Sequence, residues 1–473
     1  MKRFFIFSFL VLHYSFIFSQ NVGIGTTTPN AKLHIKGSAD TSQLVIDAGI
    51  VQSNTKPLIR LRKNDGTDLM WIHSDDTSNI FIGKFAGRVN NVSVNGGFAN
   101  TFIGSGSGNS NNNGYWNTAI GTKALYSNTT GFANTVQGYT AFYSNTTGQN
   151  NSAFGISSLY SNSTGIFNTA IGASALYTNT SGRDNTAAGI YALYNNSTGE
   201  YNTAIGSSAL MTNTTGIYNS AEGANALHSN STGNYCTATG FNTLYSNTTG
   251  ISNTGNGATA LFSNTTGEQN TAVGYGTMYS NTTGYENTAM GTNALTFSST
   301  GNKNTAIGTN ALNQNTTGSI NTAIGMYALG GNATGSNNTA VGSLCLFVNN
   351  TGVDNTAAGL SALQFNSSGS QNTAMGLQAL YMNSMGSGNL GLGAYSLYHT
   401  TNSSTNTAVG YTAGNFYDLG SNNTLIGAST NGNQNYLTNC TVIGSSSTGT
   451  ANNQVRLGNS SITSIGGYAN WSN

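Results

Sequence analysis

Asn117-Thr118-Ala119-Ile120-Gly121-Thr122-Lys123-Ala124-Leu125-Tyr126-Ser127-Asn128-Thr129-Thr130-Gly131-Phe132-Ala133 is followed at once by a variant of itself, which begins again at Asn134-Thr135-Val136-Gln137-Gly138. The glycine closing Asn-Thr-Ala-Ile-Gly falls at Gly104, Gly121, Gly138, Gly155, Gly172 and onward to Gly410, Gly427 and Gly444, always 17 residues apart. The glycine of Asn-Thr-Thr-Gly keeps the same period through Gly131, Gly148, Gly165 and Gly182 as far as Gly386. Four residues after the first glycine, every position from Leu125, Phe142, Leu159, Leu176 and Leu193 to Leu397 is large and apolar. These residues form the expected core ladder.

A period held without insertion means that each repeat occupies one turn of a stack, because a single extra residue would flip every following side chain to the other face. Seventeen residues are too few for a helix pair or a propeller blade. They suit one coil of an all-β, parallel β-solenoid, with two short strands joined by turns at the two glycines, where positive φ costs glycine little. About twenty such coils over residues 100–446 would make a rod on the order of 100 Å long at ~4.8 Å per coil.

Ladders of like residues are expected to hold this rod together. Asn117, Asn134, Asn151, Asn168, Asn185 and Asn202 stack coil above coil and pass amide hydrogen bonds along the axis. Strand alternation puts Thr and Ile of Thr-Ala-Ile on one face and Ala on the other. The Ile face is expected inward, although its column admits Gln137, Glu222, Thr239 and Asn256 and so suggests an imperfect seal or a subunit interface. After the core leucine comes an aromatic column: Tyr126, Tyr143, Tyr160, Tyr177, Tyr194, Tyr245, Phe262, Tyr279, Phe347, Tyr381 and Tyr398. It is expected to point outward, as cross-coil stacking, as inter-chain packing or as a ligand ladder.

Composition limits the function. Only 6% of the 473 residues are charged, the formal net charge is +1, and ten of the fourteen Lys and Arg lie in the first 88 residues. No cationic face is available for nucleic acid. Asp184, Glu200, Glu222, Glu268, Glu286 and Asp354 fall mostly singly in separate coils, without a paired carboxylate, nucleophile or phosphate-cradling loop. No enzymatic activity, cofactor or metal is therefore expected. Cys236, Cys345 and Cys440 have no metal-ligand spacing, and no disulfide is expected; the histidines are read as isolated filler.

The ends differ from the middle. Met1-Lys2-Arg3 and the apolar run Phe4 to Phe18 read as a signal peptide over residues 1–19, cleaved near Ser19-Gln20, which places the mature chain at the cell surface or outside the cell without a transmembrane anchor. Residues 20–99 read as a β-rich N-terminal cap, with strands at Val22 to Ile24, Lys32 to Ile35, Gln43 to Ile46, Leu58 to Arg62 and Leu69 to Ile72, and a hairpin at Asn64-Asp65-Gly66. The step from Gly83 to Gly104 is 21 residues and shifts the register. Residues 447–473 read as capping strands at Val455 to Gly458 and Ile462 to Ile465.

Repetition of Asn-Thr-Ala-Ile-Gly over residues 100–450 resembles the YadA-like head of trimeric autotransporter adhesins, which implies a left-handed parallel β-roll, a homotrimer and a host-surface, matrix or glycan target. The repeat is longer than is usual in that family. Asn21-Val22-Gly23-Ile24-Gly25-Thr26-Thr27-Thr28-Pro29 with Ala31-Lys32-Leu33-His34-Ile35 resembles the start of secreted tail-fibre-like proteins of the Bacteroidetes. There a segment similar to Gln454–Asn473 precedes a trimerising intramolecular chaperone domain. The sequence thus points to a fibrous adhesive rod; the alternative is an ice-binding solenoid, suggested by Thr118, Thr169 and Thr203 and by Thr129 and Thr146, or a carbohydrate-binding one, suggested by the aromatic column.

Overall fold

A computed structural model describes residues 22–24, 33–35, 44, 46–47 and 54–464. Among them there is no helix, and hence none long and apolar enough to cross a membrane. Strands β1 (Val22–Ile24) and β2 (Leu33–Ile35) pair in parallel. Strands β3 (Ile59–Arg62) and β4 (Asp68–His73) form the expected hairpin, turning at Gly66 with φ +84°. Leu44 and Ile46 lie in no strand, and the signal segment lies outside the described residues.

β4 pairs antiparallel with β5 (Ile80–Ile82), and from β5 onward every neighbour in the main sheet is parallel. The pairings run Thr101↔Thr118↔Thr135↔Ser152 and so on to Thr424↔Thr441, one coil per step, giving a parallel β-solenoid of about 22 turns. The first step, Ile80↔Thr101, spans the 21 residues read from the sequence, with a small Ser93↔Gly96 bridge inside it. The last, Thr441↔Val455, spans 14. Val455–Leu457 is a strand as expected, whereas Ile462 is not.

Each regular coil holds one three-residue strand, not the two expected. The other half turns through left-handed residues, as at Lys123 (φ 56°), Leu125 (φ 53°) and Ala133 (φ 53°), and the pattern recurs in nearly every coil. A full circle in 17 residues demands this curvature. Left-handed backbone costs about 1–2 kcal/mol per non-glycine residue, and it is offset here by full burial of the leucine and by bonds to the coils on either side. Lys123 N donates to Ser105 O at 2.9 Å and Leu125 N to Ala141 O at 3.0 Å.

The two glycine series exist for different reasons. Gly121, Gly138, Gly155 and Gly172 take φ of 131–149°, a conformation closed to side chains. Gly131, Gly148, Gly165 and Gly182 have no positive φ; a Cβ at Gly131 would instead overlap the Gly148 carbonyl and the Asn128 amide.

The inward face also corrects the expectation. Ala119, Ala170 and Ala204 are fully buried, while Ile120, Ile171 and Ile205 are exposed and the Thr column is partly so. The core is only wide enough for one large side chain per coil, and the leucine ladder supplies it from the opposite wall. Where Phe81 and Phe102 enter from the strand side, the ladder position becomes Gly87 and Gly108, and a Cβ on Gly108 would lie 2.6 Å from Phe102.

The asparagine ladder forms as read, and a second runs beside it. Asn134 Nδ2 donates to Asn117 Oδ1 at 3.0 Å, and Asn145 Nδ2 to Asn128 Oδ1 at 2.6 Å. Asn117 and Asn128 also both donate to the Gly131 carbonyl at 2.9 Å, so the ladders share a carbonyl column. Ser298 interrupts the second ladder, leaving its own Oγ and Asn281 Oδ1 buried without partners. A buried unpaired polar group costs about 1–3 kcal/mol. Ser298→Asn is therefore expected to raise the melting midpoint, whereas Asn264→Ala, which opens a comparable break, lowers it; calorimetry of both variants checks the sign.

Candidate interaction surface

The aromatic column after the leucine lies half-buried on the outside and stacks within the chain. Tyr126, Tyr143, Tyr160, Tyr177 and Tyr194 form one run, with ring centroids 5.0–5.2 Å apart and planes within 8°. His228, Tyr245, Phe262 and Tyr279 form a second, and Tyr381 with Tyr398 a third. Phe347 stands apart, edge-on to Tyr327. Burial and the neighbouring phenols push the Tyr177 and Tyr398 hydroxyls above their ordinary pKa, and burial alone lowers that of His228. Within a run each ring face is covered by the next ring, so edges and hydroxyls face the solvent. The column is chiefly an intrachain ladder.

Two more stacks were not singled out in the sequence: Phe98, Tyr115 and Phe132, and Tyr201, Tyr218 and Tyr235. Their signal was the same 17-residue spacing, at the two positions preceding the strand asparagine.

The larger exposed feature lies on the strand face. Ile120, Ile171, Ile205, Met290, Ile307, Ile324, Val341, Met375, Ile426 and Ile443 are each about 40–50% exposed in one column. Two residues farther along the chain, a second column adds Tyr139, Ile156, Ile190, Tyr275, Leu360 and Tyr411. Together they make an apolar band along the rod. From Val273 to Ile443 its first column has no polar member, whereas Gln137, Glu222, Thr239 and Asn256 interrupt it lower down.

The polar columns are largely committed. Thr129 Oγ1 donates to Thr146 O at 2.8 Å and Thr146 Oγ1 to Ser163 O at 3.0 Å, so these hydroxyls serve the ladder. Thr118, Thr169 and Thr203 remain partly exposed. Arg183 pairs with Glu200 at 3.1 Å and Lys303 with Glu286 at 3.8 Å, each between adjacent coils. Among the described residues no three His, Cys, Asp or Glu converge on a metal position.

The three cysteines are free and buried, Cys236 and Cys440 in the asparagine column and Cys345 in the small column before the leucines. Burial pushes the Cys236 thiol to about 11 and that of Cys345 to about 12, from 9.0.

No protein-family model and no curated protein matches the chain. Its class is set by its architecture, a parallel β-solenoid rod of 17-residue coils with an apolar band on its strand face.

A thiol whose pKa rises on folding contributes its stability fully below the unfolded value and loses it as pH climbs through the folded one. Stability is thus expected to fall above pH 9 and to keep falling through about 11–12. Cys236→Ser with Cys345→Ala should flatten that decline, and urea titrations from pH 8 to 11 measure it.

Proposed function

We propose that the chain is a secreted or cell-surface, non-catalytic fibrous rod whose copies associate side by side as a homotrimer and which adheres to a host-surface, matrix or glycan target. The apolar band carries this reading. Contiguous exposed apolar surface on a monomer is normally limited to a few hundred Å² and marks an interaction site. Here it recurs once per coil without a break from Val273 to Ile443, and a surface of the same coil period is what another copy of this chain offers. Parallel association would bring every Ile row against an equivalent row, and a long shaft then presents weak contacts many times over, where avidity multiplies them. The charged, apolar opening at Met1–Phe18 supports export, and the resemblance over residues 100–450 supports a trimer.

A second reading, an ice-binding solenoid, draws on the partly exposed Thr118, Thr169 and Thr203 column. The Thr129 and Thr146 column does not favour it, because those hydroxyl protons are used between coils.

Light scattering combined with small-angle scattering on the mature chain is expected to give a rod of three chains. Ile307→Glu with Ile324→Glu, exposed positions that leave the core intact, should shift the mass toward that of one chain while the melting of the coil persists. A wild-type monomeric rod would overturn the assembly, and thermal hysteresis from that monomer would transfer the reading to ice.

A further inference from the structure

Past Gly410 the chain abandons its regular phrase. Gly414-Asn415-Phe416-Tyr417-Asp418-Leu419-Gly420 stands where other coils carry the leucine, the aromatic and Asn-Thr-Thr-Gly. Gly414 takes the core-ladder position, and Leu419 fills the space it vacates: a Cβ on Gly414 would lie 3.1 Å from Leu419 Cδ1. Phe416 and Tyr417 are left outside, 66% and 38% exposed. Among the described residues neither ring stacks on another, unlike those inside the shaft runs.

These two rings border a cleft of about 440 Å³, whose other side chains are Ser429, Asn431, Asn433 and Thr448. Asn431 occupies the next core-ladder position, where other coils place leucine. It is 5% exposed; its Oδ1 accepts from Gly432 N at 2.9 Å, and its Nδ2 has no acceptor. A buried donor without a partner is costly, and here it belongs to a residue of the cleft wall. No charged side chain lines the cleft. Asp418, beside Tyr417, is turned away and accepts from Thr401 N at 3.0 Å and from its hydroxyl at 2.9 Å.

Exposed, unstacked aromatic rings with carboxamides and hydroxyls and no charge match a neutral sugar chain, whose pyranose rings offer a C–H face for stacking and hydroxyls for hydrogen bonding. We propose that this cleft, near the C-terminal end of the rod, is a binding site for one or two residues of a neutral glycan. Its lining lies outside the strand-face column of Ile307 and Ile324, so it can be tested separately from association of the shafts.

The test is calorimetric titration of the full-length mature protein with neutral tetrasaccharides of β-1,4-glucose, β-1,4-N-acetylglucosamine, α-mannose and β-galactose. At least one should bind, and Phe416→Ala and Tyr417→Ala should each weaken it about tenfold or more with unchanged melting, tenfold corresponding to about 1.4 kcal/mol. Phe167→Ala, an exposed ring far along the shaft, should leave binding unaltered. No binding up to about 10 mM, weaker than the millimolar affinities of the loosest specific ligands, overturns the proposal; so does unchanged binding by both cleft variants. Mass measured on the same samples separates the two readings: a trimer that binds none of the sugars removes the cleft alone, and a monomer that binds one removes the trimer alone.

Discussion

The constraint on which the structure depends is hydrogen-bond closure in a coil too small to hide an unpaired group. In 17 residues the chain makes a full circle, and the carbonyl of Gly131 and its equivalents turns into the interior. Two asparagine ladders meet it there. Asn117 and Asn128 each spend one amide proton on that carbonyl and another on the asparagine one coil earlier. The asparagine-to-asparagine donors point toward the N-terminus, so each ladder has a direction and needs an acceptor at that end. Asp75 provides one for both: Asn79 Nδ2 reaches its Oδ1 at 2.8 Å and Asn90 Nδ2 its Oδ2 at 2.9 Å, with Asn54 adding a third bond at 2.7 Å. A carboxylate at the donor end of aligned amides is the sheet counterpart of an acidic helix cap.

Core width follows from that closure. With asparagines lining one corner, the remaining interior takes a single large side chain per coil and a methyl opposite it. This makes neighbouring positions interdependent: Phe102 demands Gly108, Gly255 accompanies Thr243, whose Cγ2 lies 2.6 Å from where a Cβ would sit, and Gly414 demands Leu419. The swaps conserve volume while moving the bulk from one wall to the other, which close-packed interiors tolerate best. They also mark where the outer surface changes, since a residue recruited inward leaves its neighbours outside, as Leu419 leaves Phe416 and Tyr417.

Period, solenoid class, leucine ladder, strand asparagine ladder and β3–β4 hairpin were legible in the sequence because each depends on residues at fixed spacing. The inward face of Thr-Ala-Ile was not. Hydropathy favours burying Ile, but a core already filled by Leu125 from the other wall has room only for Ala119, and that wall comes from a distant part of the coil. The single strand per coil was hidden for a similar reason: Leu125 and Lys123 have no local preference for positive φ, and circular closure imposes it on them. The second asparagine ladder lay in the quoted Asn-Thr-Thr-Gly phrase, where Asn reads equally well as a turn residue. The Phe416–Thr448 cleft was invisible because it arises from departures from the repeat, and periodicity directs attention to what recurs.

The regular stack of parallel coils is bounded on both sides by strands that break its pattern. A parallel solenoid exposes unpaired strand edges at both ends, which invite further coils or other chains. On the N-terminal side β4 runs antiparallel and sets His73 against Phe81 and Trp71 edge-on against Phe85, both nearly buried, with burial holding His73 below its ordinary pKa. At the other end Arg456 pairs with Val442 and so stands in the inward column that alanine occupies elsewhere. A guanidinium there would have to be desolvated beneath any coil stacked upon it, and an inward charge on an edge strand is a means by which sheets refuse a partner. The antiparallel β4 and the inward Arg456 thus each oppose the stacking of a further regular coil against them, while from Val273 to Ile443 the strand face presents an apolar side chain in every coil.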